Sequence, residues 1–202
     1  MIRQMLSSLV FCLSFLQPAF SLTVSIENAQ KIGEKIWNNE CAGSVEGLTH
    51  WKKGENFPSL GIGHFIWYPE GKRERFEETF PELLQFLQKQ DVSLPAWLKS
   101  AKGCPWYSRD EFYRHIQSPE MKSLRQLLLN TRSLQAIFIA NRLELSFAQI
   151  QEKCPQKERD RITALFLRLA NEANGLYALI DYLNFKGAGI SSAETYQGQG
   201  WG

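Results

Sequence analysis

The sequence predicts an α+β domain that is predominantly α-helical. In residues 26–40, apolar and small side chains recur at the spacing of one helical face. Residues 41–72 are instead rich in glycine, with prolines among them, which is typical of loops and a short hairpin. From residue 73 to about 186, helix-forming stretches alternate with prolines and capping residues. We therefore expect a helix, a small β element and a helical bundle, with a ligand cleft between the last two.

The first 21 residues have the features of a secretory signal peptide. Arg3 supplies a positively charged start, and the segment from Met5 to Leu16 is almost wholly apolar. Ala19 and Ser21 are small residues at the two key positions of a cleavage site. An uncleaved membrane anchor is the alternative, but the apolar run is about a dozen residues and a span needs roughly 20. We predict cleavage after Ser21 and export to the periplasm or the cell exterior.

The mature chain, residues 22–202, is expected to form a single monomeric domain. Removing 21 of the 202 residues leaves 181, which is within the usual size of one domain. Without Arg3 the chain has 22 Lys and Arg residues (23 − 1) against 21 Asp and Glu residues. Nucleic-acid binding leaves a clear basic footprint, so this balance predicts no nucleic-acid partner. No later segment is apolar enough to cross a bilayer, so no membrane insertion is expected after cleavage.

Cysteine and histidine usage predicts no metal site, and no cofactor is expected. The mature chain keeps Cys41, Cys104 and Cys154. An oxidising compartment permits one disulfide among them, with Cys104–Cys154 as a candidate pair, and leaves one thiol free. The sequence has no CxxC motif, and its three histidines are too scattered to suggest a metal site.

Capping residues and prolines predict where the elements begin and end. Ser25 is placed to cap the helix 26–40, and Leu60–Tyr68 is the strongest strand candidate. Ser108 and Ser118 are placed to cap later helices, the second of them before a proline at the first helical position. Further helices are expected at 73–89, with Pro81 splitting it, and at 95–101, 109–117, 119–130, 132–153, 156–171 and 173–185.

Glu40 is the first candidate catalytic residue. It lies four residues after Ile36 and three after Trp37, so it continues the apolar face of the first helix to its end. Burial there raises the pKa of a carboxyl, and the negative end of the helix dipole acts in the same direction. A carboxyl that stays protonated near neutral pH is what glycosidic bond cleavage needs in order to protonate the leaving oxygen. A solvated glutamate at a frayed helix end is the alternative.

The segment Ser59–Phe65 follows, with Gly61 and Gly63 one residue apart. Glycines in a strand let another chain approach the backbone closely, or they relieve a bend. Aromatic rings in an open cleft can stack on sugar rings. Five aromatic residues lie near these glycines in the sequence: Trp51, Phe57, Phe65, Trp67 and Tyr68. We expect most of their rings to lie in the core and at least one to be exposed.

Together these segments resemble the lysozyme-like superfamily, especially the phage-type endolysins. Asn39-Glu40-Cys41-Ala42-Gly43 stands where those proteins carry the catalytic glutamate after the first helix, and Ser59-Leu60-Gly61-Ile62-Gly63-His64 matches their Thr-x-Gly-x-Gly-His strand. The resemblance covers about residues 26–68 by motif, and the helical remainder by general architecture. It implies Glu40 as general acid and Ser59 in the place of the family's active-site threonine. It also implies that His64 supports the cleft by hydrogen bonding.

The sequence departs from the endolysin pattern at the second carboxylate. The endolysins place an aspartate before the Gly-x-Gly-His strand, whereas this region offers Glu55 and, less well placed, Glu46. If neither serves, the resemblance points to lytic transglycosylases, which use one glutamate as acid and then as base. Tyr182-Leu183-Asn184-Phe185-Lys186-Gly187 is similar to the Tyr-x-Asn-Ala-Gly segment that lines their cleft. Asn184 is therefore a candidate substrate contact, with an ordinary helix-end stop as the alternative.

The sequence thus predicts an exported enzyme that cleaves peptidoglycan in a cleft between residues 41–72 and the bundle 73–186. Glu40 is the predicted acid and Glu55 the second catalytic group. The predicted substrate-binding residues are Ser59, Gly61, His64, Trp67 and Asn184. A lysozyme-like module that binds a glycan or a protein without cutting is the main alternative. A cysteine hydrolase using Cys41 is disfavoured, because the negative end of the helix raises the pKa of a thiol.

Overall fold

A computed structural model gives the architecture, and it describes residues 22, 24–74, 76–189, 195–196 and 199–200. Within these residues the helices are α1 Ile26–Glu40, α2 Phe80–Lys89, α3 Ala96–Ser100, α4 Arg109–Arg114, α5 Pro119–Asn130, α6 Arg132–Lys153, α7 Gln156–Ala170 and α8 Ala173–Lys186. The strands are β1 Thr49–His50, β2 Ser59–Leu60, β3 Phe65–Ile66, β4 Thr195–Tyr196 and β5 Gln199–Gly200, and a short 3-10 helix covers Glu46–Leu48. The predicted α+β, predominantly helical class is confirmed. The predicted signal peptide, 1–21, lies outside the described residues.

Serine side chains cap the helices at the predicted positions. Ser25 Oγ accepts a hydrogen bond from the N–H of Asn28 at 3.2 Å and begins α1. Ser108 Oγ accepts from the N–H of Glu111 at 3.2 Å at the start of α4, and Ser118 caps α5 in the same way. Each cap satisfies a main-chain N–H that the first helical turn leaves without a partner.

The helix predicted at 73–89 begins later, at Phe80, and this is a correction. Pro81 does not split a helix but lies in the first turn of α2, where its missing N–H is not needed. The residues before it are held by the sheet instead. The Thr79 N–H donates to the Ile66 carbonyl at 3.1 Å, and Thr79 Oγ1 accepts from the Ile66 N–H at 3.1 Å.

The predicted strand Leu60–Tyr68 is in fact part of a hairpin. β2 and β3 pair in antiparallel fashion, and residues 61–64 form the turn between them. Gly61 and His64 have φ values of +68° and +51°, in the left-handed region that reverses the chain. The Gly-x-Gly-His motif therefore makes the turn, and β1 pairs with β2 to complete a three-stranded sheet.

The two faces of this sheet differ in exposure. The register places one buried set of side chains on the inner face, Thr49, Leu60 and Phe65. The outer face carries exposed or half-buried side chains, His50, Ser59 and Ile66. Since side chains alternate along a strand, the outer face is where the sheet can meet a ligand.

A fully buried amide ties the hairpin turn to the helical body. Gln135, on α6, has 0 % exposure. Its Oε1 accepts the Ile62 N–H at 3.0 Å, and its Nε2 donates to the Leu128 carbonyl at 2.7 Å and to Thr131 Oγ1 at 3.0 Å. A Cβ on Gly61 would collide with the Gln135 amide oxygen, so both the close approach and the positive φ require glycine there.

Helix α1 packs along α6, and α8 packs against both. A Cβ on Gly33 would lie 2.9 Å from the Arg132 carbonyl oxygen, so the two backbones meet closely at this glycine. The buried apolar side chains of the sheet and helices form one continuous core. No helix of the described ranges is long and apolar enough to span a membrane.

Cys41, Cys104 and Cys154 are all free thiols, so the candidate pair Cys104–Cys154 is not formed. Cys41 and Cys104 are buried, and Cys154 is half-buried at the end of α6. Burial raises the pKa of both Cys41 and Cys104 to about 12, and the charge of Glu40 adds to the rise at Cys41. A thiol with so high a pKa carries little thiolate at neutral pH, which disfavours the cysteine-hydrolase alternative for Cys41.

Replacing Gln135 should destabilise the fold through the hairpin turn. Gln135→Leu keeps the volume but leaves the Ile62 N–H and the Leu128 carbonyl buried without their partner. We expect a loss of about 2–4 kcal/mol of unfolding free energy, measured by urea denaturation. Gln149→Leu, an exposed position on the same helix, is the matched control and should change the stability by less than about 0.5 kcal/mol. Equal stability of the two variants would contradict the role given to Gln135.

Candidate functional site

Glu40 lies at the ordered end of α1. The buried face of the helix is formed by Ala29, Ile32, Gly33 and Ile36, and Glu40 follows one turn later in a half-buried position. The N–H groups of Cys41 and Gly43 both donate to the Trp37 carbonyl, at 2.9 and 3.2 Å. Gly43 has a φ of +61°, the left-handed conformation that commonly ends a helix. The helix end is therefore not frayed, and the Glu40 side chain is partly exposed to solvent.

The environment of Glu40 favours its protonated form. Burial raises the pKa of its carboxyl above the usual value, and the negative charge of Asp181 on α8 raises it further. Both causes act against the carboxylate, as two like charges near each other and a desolvated charge are each unfavourable. This is the direction that a general acid needs.

His64 supports the main chain of Glu40 from the hairpin turn. Burial lowers the pKa of His64, and the nearby His50 adds to the lowering. The main chain of Glu40, near the ring, acts in the opposite direction and raises the pKa, but the net shift is downward. The ring also packs edge-on against Phe185 of α8, with centroids 5.5 Å apart. His64 therefore lies between the hairpin turn, the end of α1 and α8.

One face of α8 completes the surroundings of Glu40. Tyr177, Asp181 and Asn184 are spaced by four and three residues and share this face. Asn39 Nδ2 donates to the Tyr177 hydroxyl at 2.6 Å, and that hydroxyl donates to Asp181 Oδ1 at 3.2 Å. Asn184 Nδ2 donates to the Gly63 carbonyl at 3.0 Å. The sequence prediction included Asn184 but missed Tyr177 and Asp181, which the same helical spacing could have indicated.

Of the other predicted residues, Ser59 lies on the outer face of the sheet and Glu55 lies on the loop that joins β1 to β2. Ser59 is half-buried and pairs across the sheet with His50 and Ile66. Glu55 belongs to the 51–58 loop, which joins β1 to β2 at the end of the sheet opposite the 61–64 turn. Its carboxylate is 4.0 Å from Lys52 Nζ. The acid whose charge acts on Glu40 is Asp181, whereas Glu55 lies on the loop at the opposite end of the sheet from the turn.

Trp67 and Gly61 are structural residues, and this corrects their predicted roles in substrate binding. Trp67 is 2 % exposed and packs on Phe80 at 4.9 Å and Trp97 at 6.4 Å between ring centroids. At least one of the five aromatic rings near the glycines was expected to be exposed, and this expectation is wrong. All five rings are core residues: Trp51, Phe57, Phe65, Trp67 and Tyr68. Gly61 is buried as well, and the space beside it is occupied by Gln135.

A cleft of about 630 Å³ lies between the hairpin, α6 and the end of α8. His64 and Asn184 line it, together with Arg142, whose guanidinium pairs with Glu77 at 2.6 Å and with Glu82 at 2.9 Å. Glu40 is not part of the lining of this cleft. The described residues include no group of three or more His, Cys, Asp and Glu side chains placed to hold a metal ion.

Comparison with known proteins adds no relative. No family model, no curated protein and no solved structure matches the chain. The arrangement around Glu40 therefore carries the functional inference.

The raised pKa of Glu40 predicts how stability depends on pH. The folded protein binds the Glu40 proton more tightly than the unfolded chain, so stability falls as the pH rises through the ordinary carboxyl pKa of 4.5 toward the raised folded value. Glu40→Gln removes this penalty. The variant should be more stable than the wild type at pH 7, by less than about 1 kcal/mol because the group is partly solvated.

Urea unfolding of both proteins at pH 7 and pH 3.5 measures this effect. At pH 3.5 the carboxyl is mostly protonated in both states, so the advantage of the variant should largely disappear. A Glu40→Gln protein that is less stable than the wild type at pH 7 would show that the charged carboxylate is favoured in the fold.

Proposed function

We propose that this protein is a lysozyme-like enzyme that cleaves the glycan strands of peptidoglycan, with Glu40 as the general acid. The observation that carries the proposal is the half-buried Glu40 carboxyl at the end of α1, with its pKa raised by burial and by Asp181. A carboxyl in this state can deliver a proton to the oxygen of a glycosidic bond near neutral pH.

The order of elements supports a lysozyme-like scaffold. A first helix ends in a glutamate, a three-stranded antiparallel sheet follows, and helices form the rest of the described body. Within the sheet, Ser59 begins the second strand and His64 ends the turn after it. The ring of His64 lies near the Glu40 main chain. Ser59 lies on the outer face of the sheet, where a glycan strand would be bound.

The position of Glu55 favours a reaction that uses one glutamate. Glu55 is in the 51–58 loop beside Lys52, and the acid that acts on Glu40 is Asp181. In the one-glutamate reaction, Glu40 gives its proton to the glycosidic oxygen as the bond to C1 of N-acetylmuramic acid breaks. The Glu40 carboxylate then takes the proton of the C6 hydroxyl as that oxygen bonds to C1. The products are a free C4 hydroxyl on N-acetylglucosamine and a 1,6-anhydro end, and Glu40 is restored.

Peptidoglycan also fits the expected route of the protein. A signal peptide at residues 1–21 would deliver the mature chain to the periplasm or the cell exterior, where this polymer is found. The near balance of 22 basic and 21 acidic residues in the mature chain is compatible with a zwitterionic polymer.

Purified peptidoglycan sacculi provide the test of Glu40. The wild type should release muropeptides, and Glu40→Gln should reduce the rate by about 100-fold or more, because the amide cannot donate a proton to the leaving oxygen. Mass spectrometry of the products distinguishes the two reactions. Products lighter by one water carry anhydro ends, whereas reducing ends indicate hydrolysis.

Glu55→Gln is the matched control, since it makes the same chemical change on the 51–58 loop. We expect it to keep most of the wild-type rate. A large loss in Glu55→Gln would restore Glu55 as the second catalytic group. A folded wild type that pellets with sacculi and releases nothing would indicate a glycan-binding module instead.

A further inference from the structure

A second cleft, of about 740 Å³, lies among α3, the α3–α4 loop and the first turns of α4 and α5. We call it the α3–α5 cleft. Its volume is in the range of sites that bind small molecules. None of its lining residues is among the groups described around Glu40. A ligand held here would therefore occupy a site that the proposed reaction does not use.

The wall of this cleft is fixed by contacts of the main chain. The Cys104 N–H donates to the Tyr68 carbonyl at 2.8 Å, so the α3–α4 loop is held against the chain that follows β3. Three residues later, the Tyr107 N–H donates to Glu111 Oε2 at 2.8 Å. The loop is thus anchored on both sides of its aromatic residues, and their positions are set before any ligand binds.

The indole N–H of Trp106 has no acceptor in the described part of the chain. Three other tryptophans, Trp37, Trp51 and Trp97, donate their indole N–H to protein oxygens at 3.1, 2.7 and 2.9 Å. Trp106 lines the cleft and is 4 % exposed. Its nitrogen is not sealed in the interior, since Arg132 Nε is the one fully buried side-chain nitrogen without a partner among the described residues. A nearly buried indole usually has a hydrogen-bond partner, so the cleft offers an unused donor to a ligand.

An exposed aromatic ring lies next to this donor. Tyr107 lines the cleft and is 51 % exposed, and the ring contacts of the described residues include none with it. Trp97, half-buried, adds a second ring to the lining and packs against Trp106 with centroids 6.2 Å apart. The exposed ring that the sequence was expected to supply near the Gly-x-Gly-His motif is therefore found on the α3–α4 loop instead.

The charges of the cleft select the class of ligand. Glu70, Glu111 and Glu120 line it, and the described lining residues include one lysine, Lys102, and no arginine. None of the three carboxylates takes part in an ion pair of the described residues. Carboxylates accept hydrogen bonds from hydroxyl groups and repel an anionic ligand. An organic cation would suit the carboxylates, but it would leave the Trp106 donor unused.

We propose that the α3–α5 cleft is a second glycan-binding site, which takes an uncharged N-acetylated sugar unit. The Trp106 N–H donates to the acetamido carbonyl, the Tyr107 ring packs against a face of the sugar, and the carboxylates accept its hydroxyl groups. Binding here does not depend on cleavage at Glu40. Its use to the enzyme rests on the proposed function: a second contact with the polymer keeps the protein on the wall between cleavage events.

Indole ¹⁵N–¹H NMR with the trimer of N-acetylglucosamine tests the site directly. The Glu40→Gln protein is used so that the trimer stays intact, and the Trp106 signal is the one that a further Trp106→Phe change removes. The Trp106 signal should move, because its N–H gains an acceptor. The Trp37 and Trp51 signals are internal controls and should stay in place, since both N–H groups are already bonded and neither residue lines the cleft.

The deacetylated trimer, which is cationic, separates the two ligand classes. It lacks the acetamido carbonyl, so it should bind more weakly and leave the Trp106 signal in place. Tighter binding of the deacetylated trimer would overturn the proposal in favour of an ammonium ligand. A Trp106 signal that does not move at the highest concentration of the N-acetylated trimer would overturn it as well.

Tyr107→Ala tests the site at an exposed position, where loss of the fold is not expected. Removing the ring should weaken binding of the N-acetylated trimer by about tenfold. Tyr107→Phe is the matched control, because it keeps the ring, and it should bind as tightly as the unchanged protein. Equal affinity of the two Tyr107 variants would contradict the proposal.

Muropeptide release by the wild type distinguishes this site from the proposed reaction. A protein that binds the trimer through Trp106 and releases no muropeptide would support the second site and contradict the enzymatic function alone. Release of muropeptides by a protein whose Trp106 signal ignores the trimer would contradict the second site alone.

Discussion

The buried amide of Gln135 is the interaction on which the arrangement around Glu40 depends. The turn 61–64 enters the protein interior, where a main-chain N–H without a partner is strongly unfavourable. Gln135 accepts that N–H from Ile62 and uses both hydrogens of its own amide on α5 and the α5–α6 junction. A side chain with both a donor and an acceptor is needed, because the turn offers an N–H and the helix offers a carbonyl. Gly61 is the complementary requirement, since only glycine leaves room for the amide.

Once the turn is held, the contacts around Glu40 follow from it. The ring of His64 lies near the Glu40 carbonyl, and the Gly63 carbonyl accepts a hydrogen bond from Asn184. These two contacts join three elements that are far apart in the chain: α1, the hairpin and α8. The acid therefore sits where the helical body and the sheet meet, and not within either of them. Such junctions are where ligand sites commonly form.

Glu40 illustrates the opposition between stability and chemistry. A carboxylate at the negative end of a helix, half-buried and beside another acid, is unfavourable for folding. Burial and the charge of Asp181 also raise the pKa of the carboxyl, which is the direction that acid catalysis of glycoside cleavage needs. Contacts that do not involve the carboxyl itself offset this unfavourable contribution to the folding free energy. The α1 end is closed by hydrogen bonds to the Trp37 carbonyl, and the Trp37 ring lies under the Arg132 guanidinium at 4.2 Å.

The sequence by itself determined the features that depend on local spacing. The helices, their serine caps and the half-buried position of Glu40 follow from hydrophobic periodicity and capping chemistry, which act within a few residues. Features that depend on distant contacts were decided by the tertiary structure alone. Thr79 lies at the edge of the sheet because Ile66 forms hydrogen bonds with it. The Gly-x-Gly-His motif forms a turn because Gln135 accepts the hydrogen bond of its buried N–H. Trp67 lies in the core because Phe80 and Trp97 cover it, and the charge of Asp181 acts on Glu40 because α8 packs against α1. Periodicity shows which face of a helix is buried, but only packing decides which residues from the rest of the chain meet it.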